Sequence, residues 1–310
     1  MKAVIRKQYG PPEVMKIAEV PKPAPKDDEV CIRILATAVT NSDIFIRGSE
    51  LPFYILVPFR FMMVIFSPRK PIIGLVFSGE IESVGSKIQR FKPGDAVYGL
   101  TGYGLGAYAE YKCMKETDST YGCIGHKPGN ISHEEATMVA YGGLLAFQFL
   151  EKGNIGKGQN VLIYGASGTT GTMAIQIAAQ LGAEVTAVCS TANLEMVKKL
   201  RAHHALDYTK ENAVPSGVKY DLILDAVGKA KTSNLKEACK KALHKDGSYV
   251  SIDDAALKLD SKRLDKVREF VESGFVKPVL DKIYDLEDIV EAHRYVEKGH
   301  KKGGVAVTVQ

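Results

Sequence analysis

The sequence predicts an α/β chain of two domains, a small β-barrel followed by a doubly wound parallel sheet. Three observations lead there. The 310 residues, 45% of them hydrophobic, exceed a typical single domain and can fill two cores. The first part of the chain carries short β-rich runs punctuated by Gly and Pro. From Asn160 onward, nearly all-apolar strands alternate with helical spacings, which marks a parallel sheet covered on both faces.

Taken in order, Ala3 to Arg6, Glu29 to Thr37, Phe77 to Ser83 and Ala96 to Tyr98 read as strands. Pro93-Gly94-Asp95 reverses the chain between Phe91 and Val97. Pro21, Pro23 and Pro25 alternate in a short extended connector. The second domain then reads as a strand over Asn160 to Tyr164, a helix over Thr170 to Leu181 and a strand over Glu184 to Cys189. A helix over Thr191 to His203 and a third strand over Leu222 to Ala226 follow. Lys262 to Ser273 and Leu286 to Lys298 have helical spacing, and Gly304 to Val309 is a final β-run that rejoins the first domain.

Composition excludes several classes. The net charge of +5 is scattered, with only short clusters such as Lys240-Lys241 and Lys301-Lys302, so no nucleic-acid footprint is expected. The five cysteines are widely spaced with no C-x-x-C, which argues against a disulfide framework or zinc ribbon and for a reducing cytoplasm. The most apolar stretch, Leu51 to Phe66, is broken by Pro52, Pro58 and Arg60 and is too short to span a bilayer, so no integral membrane segment is expected.

Chemistry concentrates in Gly165-Ala166-Ser167-Gly168-Thr169-Thr170-Gly171, between the strand VLIY and the helix TMAIQIAAQLG. Strand, glycine turn and helix in that order form a dinucleotide seat. Gly165 and Gly168 let bare backbone approach a pyrophosphate, Gly171 lets helix and strand pack closely, and the helix N-terminal amides face the anion. Cofactor choice is decided at the end of the next strand, where an NAD site places Asp or Glu against the ribose hydroxyls. This chain has Cys189-Ser190-Thr191 there, with Asn193 close behind. A 2′-phosphate fits against the Ser190 and Thr191 hydroxyls and amides, so NADP(H) is the expected cofactor. Lys198 is the nearest basic residue, and Lys198 with Lys199 also reads as a solvated helix face. His203 and His204 lack ligand spacing to other metal-binding residues and read as a surface turn.

GASGTTG, STANLEMVKKL, ALDYTKEN, YDLILDAVG and the closing EAHRYVEKGHKKGGVAV, together with the β-rich N-terminal part, resemble the medium-chain dehydrogenase/reductase superfamily. Within it the chain looks like the zinc-independent quinone oxidoreductase branch, part of the alcohol dehydrogenase-like group. The resemblance implies a GroES-like catalytic domain over residues 1–125 and 276–310 and a Rossmann domain over 126–275. It places Tyr208 near the adenosine end of the cofactor and adds Val227 and Gly228, from the YDLILDAVG segment, to the cofactor residues. Family members commonly dimerise through the Rossmann sheet edge, so a homodimer is implied, although the span between Val250 and Leu264 is short for an extra edge strand.

The same resemblance argues against zinc. Where zinc-dependent relatives place a catalytic Cys, ATAVTNSD has Thr40, three residues before Asp43. Their Gly-His-Glu motif corresponds to Gly74-Leu75-Val76, and their four-cysteine lobe is missing. Without a Lewis acid to polarise a simple carbonyl, an activated acceptor is the expected substrate: a quinone or α,β-unsaturated carbonyl, small, hydrophobic and electrophilic. Zinc-free relatives often carry Asn in place of Thr40, and many carry Thr in place of Leu145. Tyr54, Tyr103 and Tyr141 are candidates, beside Thr40, for the substrate pocket, each able to orient or protonate a product and each also readable as a packing tyrosine. Leu51 to Phe66, with Phe53, Tyr54 and Met62, reads either as an apolar substrate wall or as burial against the barrel. Two alternatives stand beside this reading: an NADPH-binding structural or partner-docking protein with little turnover, and an alcohol or aldehyde reductase.

Overall fold

The computed structural model describes residues 1–48 and 70–309, so Leu51 to Phe66, with Tyr54, lies outside the described residues. The chain divides into two compact units, Met1–Ala140 with Leu259–Leu264 and Leu280–Gln310, and Tyr141–Lys258 with Asp265–Val279.

The first unit is built mostly on antiparallel strands, with β13 and β14 paired in parallel. Strands β1 (Lys2–Arg6) and β2 (Met15–Glu19) form a hairpin. A larger sheet follows β3 (Glu29–Val39), β4 (Val76–Val84), β5 (Ala96–Leu100), β6 (Tyr111–Lys115) and β7 (Cys123–His126). It also takes in β13 (Leu280–Asp285) and β14 (Gly304–Thr308), in the order β13-β14-β3-β4-β5-β7, with β6 paired to β3. The pairing of β14 with β3, Val305 opposite Val39, is what returns the C-terminal run to this unit. Val30, Ile32, Ile34, Phe77, Val97, Val305 and Val307 supply its core. Helices α1 (Asn41–Gly48) and α2 (His133–Met138) belong to it, the latter capped by Ser132 and Glu135 in a reciprocal capping box. The Pro93-Gly94-Asp95 turn joins β4 to β5 as expected, with Gly94 at φ +89° and the Lys92 amide donating to the Asp95 carboxylate.

The second unit is a five-stranded parallel sheet in the order β10-β9-β8-β11-β12. Its elements are α3 (Leu144–Lys152), β8 (Asn160–Tyr164), α4 (Thr169–Gln180), β9 (Glu184–Cys189), α5 (Leu194–Lys199) and β10 (His204–Asp207). They continue with β11 (Tyr220–Asp225), α6 (Asn234–Lys241) and β12 (Leu243–Ser251). Helix α7 (Ser261–Glu272) carries the division between the units, and α8 (Ile289–Glu297) returns to the first. Because β8 is first in sequence but central in the sheet, its C-terminal end is where the winding changes direction, the position at which such sheets bind ligands.

Several boundaries differ from the sequence reading. The first unit runs to Ala140 rather than 125, because β7 pairs with β5 and α2 lies against β3 and β4. It also takes in Leu259–Leu264, where the Tyr98 hydroxyl donates to the Leu264 carbonyl at 2.7 Å and Ser261 donates to Asp118. The helix expected over Thr191 to His203 is shorter, a 3-10 turn at Thr191–Asn193 followed by α5, and Arg201 at φ +76° ends it. His204 therefore starts a strand rather than standing in a surface turn. The His203 Nδ1 accepts from the Val185 amide at 2.9 Å, and both imidazoles face Glu184, at 3.8 and 3.2 Å.

Candidate functional site

The glycine turn leaves β8 at Gly165, whose φ of +81° is a left-handed conformation that suits glycine. A Cβ there would lie 2.4 Å from Val227 Cγ2, and one on Gly171 would lie 2.3 Å from the Gly165 carbonyl oxygen and 2.6 Å from Ala166 Cα. These two glycines are thus required by close approach within the protein. Gly168 is different: a Cβ would meet nothing nearer than the Gly165 oxygen at 3.6 Å, so the protein leaves space in front of it. The Gly165 and Ala166 amides both donate to Val188 O, fixing the turn to β9, and the Gly168 amide donates to Gly165 O. Gly168 is the N-cap of α4, whose first bond runs from the Thr172 amide to Gly168 O. The Thr170 and Gly171 amides have no intrahelical acceptor and suit an anion.

Beside this turn, β9 ends at Cys189 and Ser190 follows with no carboxylate at its tip. The Asn193 Nδ2 donates to Ser190 Oγ at 3.1 Å, which leaves the Ser190 proton available to an acceptor outside. The buried Asn193 Oδ1 has no partner, and it fits a ligand that brings a hydroxyl or amine donor. The Thr191 hydroxyl, in contrast, is committed. It donates to Asp207 Oδ2, while the Thr209 amide and hydroxyl donate to Asp207 Oδ1 at 2.9 and 2.7 Å. Asp207, paired with Cys189 from the neighbouring strand, thus sets a carboxylate beside this strand end, and the Thr191 and Thr209 hydrogen bonds hold it below the ordinary Asp range. Tyr208 follows with its ring 46% exposed and tilted against Tyr164, centroids 6.4 Å apart. The structure therefore brings Gly165 to Gly171, Ser190, Thr191, Asn193, Tyr208, Val227 and Gly228 to one end of one sheet.

Sequence reasoning missed what holds Val227 and Gly228 there. Asp225, wholly buried at the end of β11, accepts from the Val227 and Gly228 amides at 3.1 and 3.2 Å through Oδ1. Its Oδ2 accepts from the Tyr249 hydroxyl at 2.6 Å and pairs with Lys236 Nζ at 2.7 Å. The equally buried Lys236 ammonium also donates to the carbonyls of Gly228 and Lys231, at 2.8 and 2.7 Å. Apart from the Tyr249 hydroxyl on β12, the backbone groups this ion pair holds belong to the loop that packs against Gly165. The signal was in YDLILDAVG, where an acid ends an apolar strand two residues before the loop.

The remaining candidates lie elsewhere. Thr40 follows β3, and its Oγ1 donates to Asp43 Oδ2 at 2.6 Å and accepts from the Asp43 amide at 3.2 Å. The hydroxyl is left with one lone pair, so this geometry makes Thr40 an acceptor rather than a proton donor. Burial pushes the Asp43 carboxyl up to about 6, opposed by the Thr40 hydrogen bonds, and its Oδ1, beside the Leu75 backbone, has no partner of good geometry. Tyr103 sits in an exposed 3-10 turn, Gly102–Gly104, where Lys70 donates to its carbonyl at 2.6 Å. Tyr141 lies in a π-helical turn, Val139–Gly143, in the second unit.

Residues 26–123 match the family model of the alcohol dehydrogenase GroES-like domain, and residues 169–269 and 255–307 match two models described as zinc-binding dehydrogenase. A 2-methylene-furan-3-one reductase of Solanum lycopersicum is 31% identical over 99% of this chain and 79% of its own length. A chloroplastic quinone oxidoreductase of Triphysaria versicolor is 30% identical over 99% and 98%. The chain belongs to the medium-chain dehydrogenase/reductase superfamily. Among solved structures, the quinone oxidoreductase from Coxiella burnetii superimposes on this dehydrogenase/reductase with a TM-score of 0.82 at 25% identity, covering 100% of this chain and 99% of that one. The fold expected from sequence, a GroES-like domain with a Rossmann domain, is the fold observed.

The family descriptions mention zinc, and the donor set of this member is at odds with it. Thr40, Leu75 and Val76, which the sequence resemblance sets against zinc-ligand positions, carry no thiolate, imidazole or carboxylate, and Val76 is buried within β4. Among the described residues no three His, Cys, Asp or Glu side chains converge on one point.

Proposed function

We propose that this dehydrogenase/reductase is an NADPH-dependent, zinc-independent reductase of quinones or α,β-unsaturated carbonyls. The observation that carries the reading is the pairing of a dinucleotide turn with a strand end that presents Ser190 instead of a carboxylate. NADPH, when bound, supplies a hydride to the electron-poor carbon of the acceptor. The chain's part is to seat it: the Thr170 and Gly171 amides take the pyrophosphate, Gly168 gives it room, and Ser190 donates to the 2′-phosphate. Asn193 Oδ1 takes a donor from the adenosine end. The Thr191 hydroxyl is excluded from that contact because Asp207 holds it.

The acceptor class follows from what this chain does not offer. Thr40, Leu75 and Val76 provide no soft or imidazole ligand for zinc, so the acceptor itself must delocalise the incoming charge. The relatives support this: one is named an NADPH-dependent alkenal/one oxidoreductase, from Arabidopsis thaliana, at 28% identity over 99% of this chain. NADPH oxidation is expected to depend on an added quinone or enone, to be slow with simple ketones and aldehydes, and to withstand metal chelators. Oxidation abolished by a chelator and restored by zinc would overturn the metal-free reading. Thermal stabilisation by NADPH without acceptor-dependent oxidation would leave a binding protein in place of an enzyme.

Cofactor preference has its own test. Ser190→Asp removes the donor and sets a charge where the 2′-phosphate lies. A charge-assisted hydrogen bond is worth about 1.5–3 kcal/mol, so the ratio of kcat/KM for NADPH over NADH should fall at least about tenfold. An unchanged ratio would place the phosphate elsewhere.

A further inference from the structure

Cys31 and Cys113 stand opposite each other on β3 and β6. The Ile34 amide donates to Glu110 O at 2.8 Å, the bond that flanks a non-hydrogen-bonded Arg33–Tyr111 pair. Alternation along the antiparallel ladder then makes Ile32–Lys112 a hydrogen-bonded pair and Cys31–Cys113 a non-hydrogen-bonded one. In that position Cα atoms lie about 4.5 Å apart and side chains are at their closest, within the roughly 4.4–6.8 Å that a disulfide spans. Both thiols are free. From these observations we propose that Cys31 and Cys113 form a reversible cross-strand dithiol that small disulfides oxidise to an intramolecular disulfide.

The two thiols have different parts. Cys31 is buried, with Pro23 O 3.9 Å from its sulfur, whereas Cys113 is partly exposed and is the one a soluble disulfide reaches. The neighbouring Cys113 thiol, with the nearby Lys22 ammonium, holds the Cys31 thiol below its ordinary range, while Cys31 and burial raise Cys113. With oxidised glutathione, the Cys113 sulfur first displaces one glutathione as a thiol and forms a mixed disulfide. The Cys31 thiolate then attacks the Cys113 sulfur and expels the second glutathione. Two protein thiols lose two electrons and two protons, and one glutathione disulfide becomes two thiols. The other three cysteines do not compete, since Cys123, Cys189 and Cys239 are buried and out of reach of a soluble disulfide.

The test is native full-length protein incubated with oxidised glutathione, quenched in acid and mapped by mass spectrometry. Wild type should lose two hydrogens, carry no glutathione and yield a peptide joining Cys31 to Cys113, reversed by dithiothreitol. Cys31→Ser should instead retain glutathione on Cys113, and Cys113→Ser should take up none. Five free thiols in treated wild type, or a disulfide joining any other pair, would overturn the proposal. Glutathione retained on Cys31 in Cys113→Ser would overturn the assigned order of attack. Because the wild-type map decides the matter alone, a poorly folding variant does not obscure it.

Discussion

Lys236→Met is expected to lower stability by about 3–5 kcal/mol, because it leaves Asp225 as a buried carboxylate without its counter-charge. Lys236 and Asp225 are 1% and 0% exposed, so water cannot take the ammonium's place. Tyr249 donates to the same oxygen, yet a neutral hydroxyl does not offset a buried charge. The loss should be visible as a lower urea midpoint of the second unit. It should also raise the KM for NADPH more than it lowers kcat, since Lys236 ties the Gly228 and Lys231 carbonyls and the Val227 loop lies against Gly165. Pairing the change with Asp225→Asn removes the orphaned charge and should recover much of the stability but not the NADPH affinity. A single variant that melts with wild type and binds NADPH equally well would show that the pair does not position the loop.

The second large effect is at Gly171. Gly171→Val places a Cβ 2.3 Å from the Gly165 oxygen and 2.6 Å from Ala166 Cα, and all of these are backbone atoms that cannot rotate away. The helix must lift off the turn, which moves the amides that face the pyrophosphate. NADPH binding should weaken by about 100-fold or more, a change of roughly 3 kcal/mol. Gly168→Ala provides the contrast. Its Cβ meets only the Gly165 oxygen, at 3.6 Å, so the melting temperature should hold while NADPH affinity falls. If calorimetry finds Gly168→Ala binding NADPH like wild type, the space in front of Gly168 is not the pyrophosphate's place.

How much of this was legible in the sequence depends on the range of the signal. The glycine turn is local: strand, punctuation and helix lie within some twenty residues, and both its position and its surroundings were readable. The acceptor-side residues were not. Thr40 reads as a substituted ligand position, but its role as an acceptor depends on Asp43 turning back onto it. Thr191 reads as a phosphate contact until Asp207, sixteen residues later and on another strand, takes its proton. Lys236 reads as one more charge in a Lys-rich helix, and only the folded sheet brings it to Asp225. Strand β10 was missed because ALD is too short for alternation to register, and β13 because LDKIYD mixes charge with apolar residues at a sheet edge. Tyr54 and the apolar segment around it lie outside the described residues.

The pairing of β14 with β3 also has a consequence for the order of assembly. Strand β3 emerges early during synthesis, yet the stretch from Ala36 to Val39 on the edge it shares with β6 finds its partner only when residues 304–308 have been made. The parallel sheet of the second unit is complete in sequence by Ser251 and can close first. The topology thus allows an order opposite to the usual one, in which the N-terminal domain folds before the next. The sheet that carries the glycine turn is finished while the half that carries Thr40 still waits for its last strand.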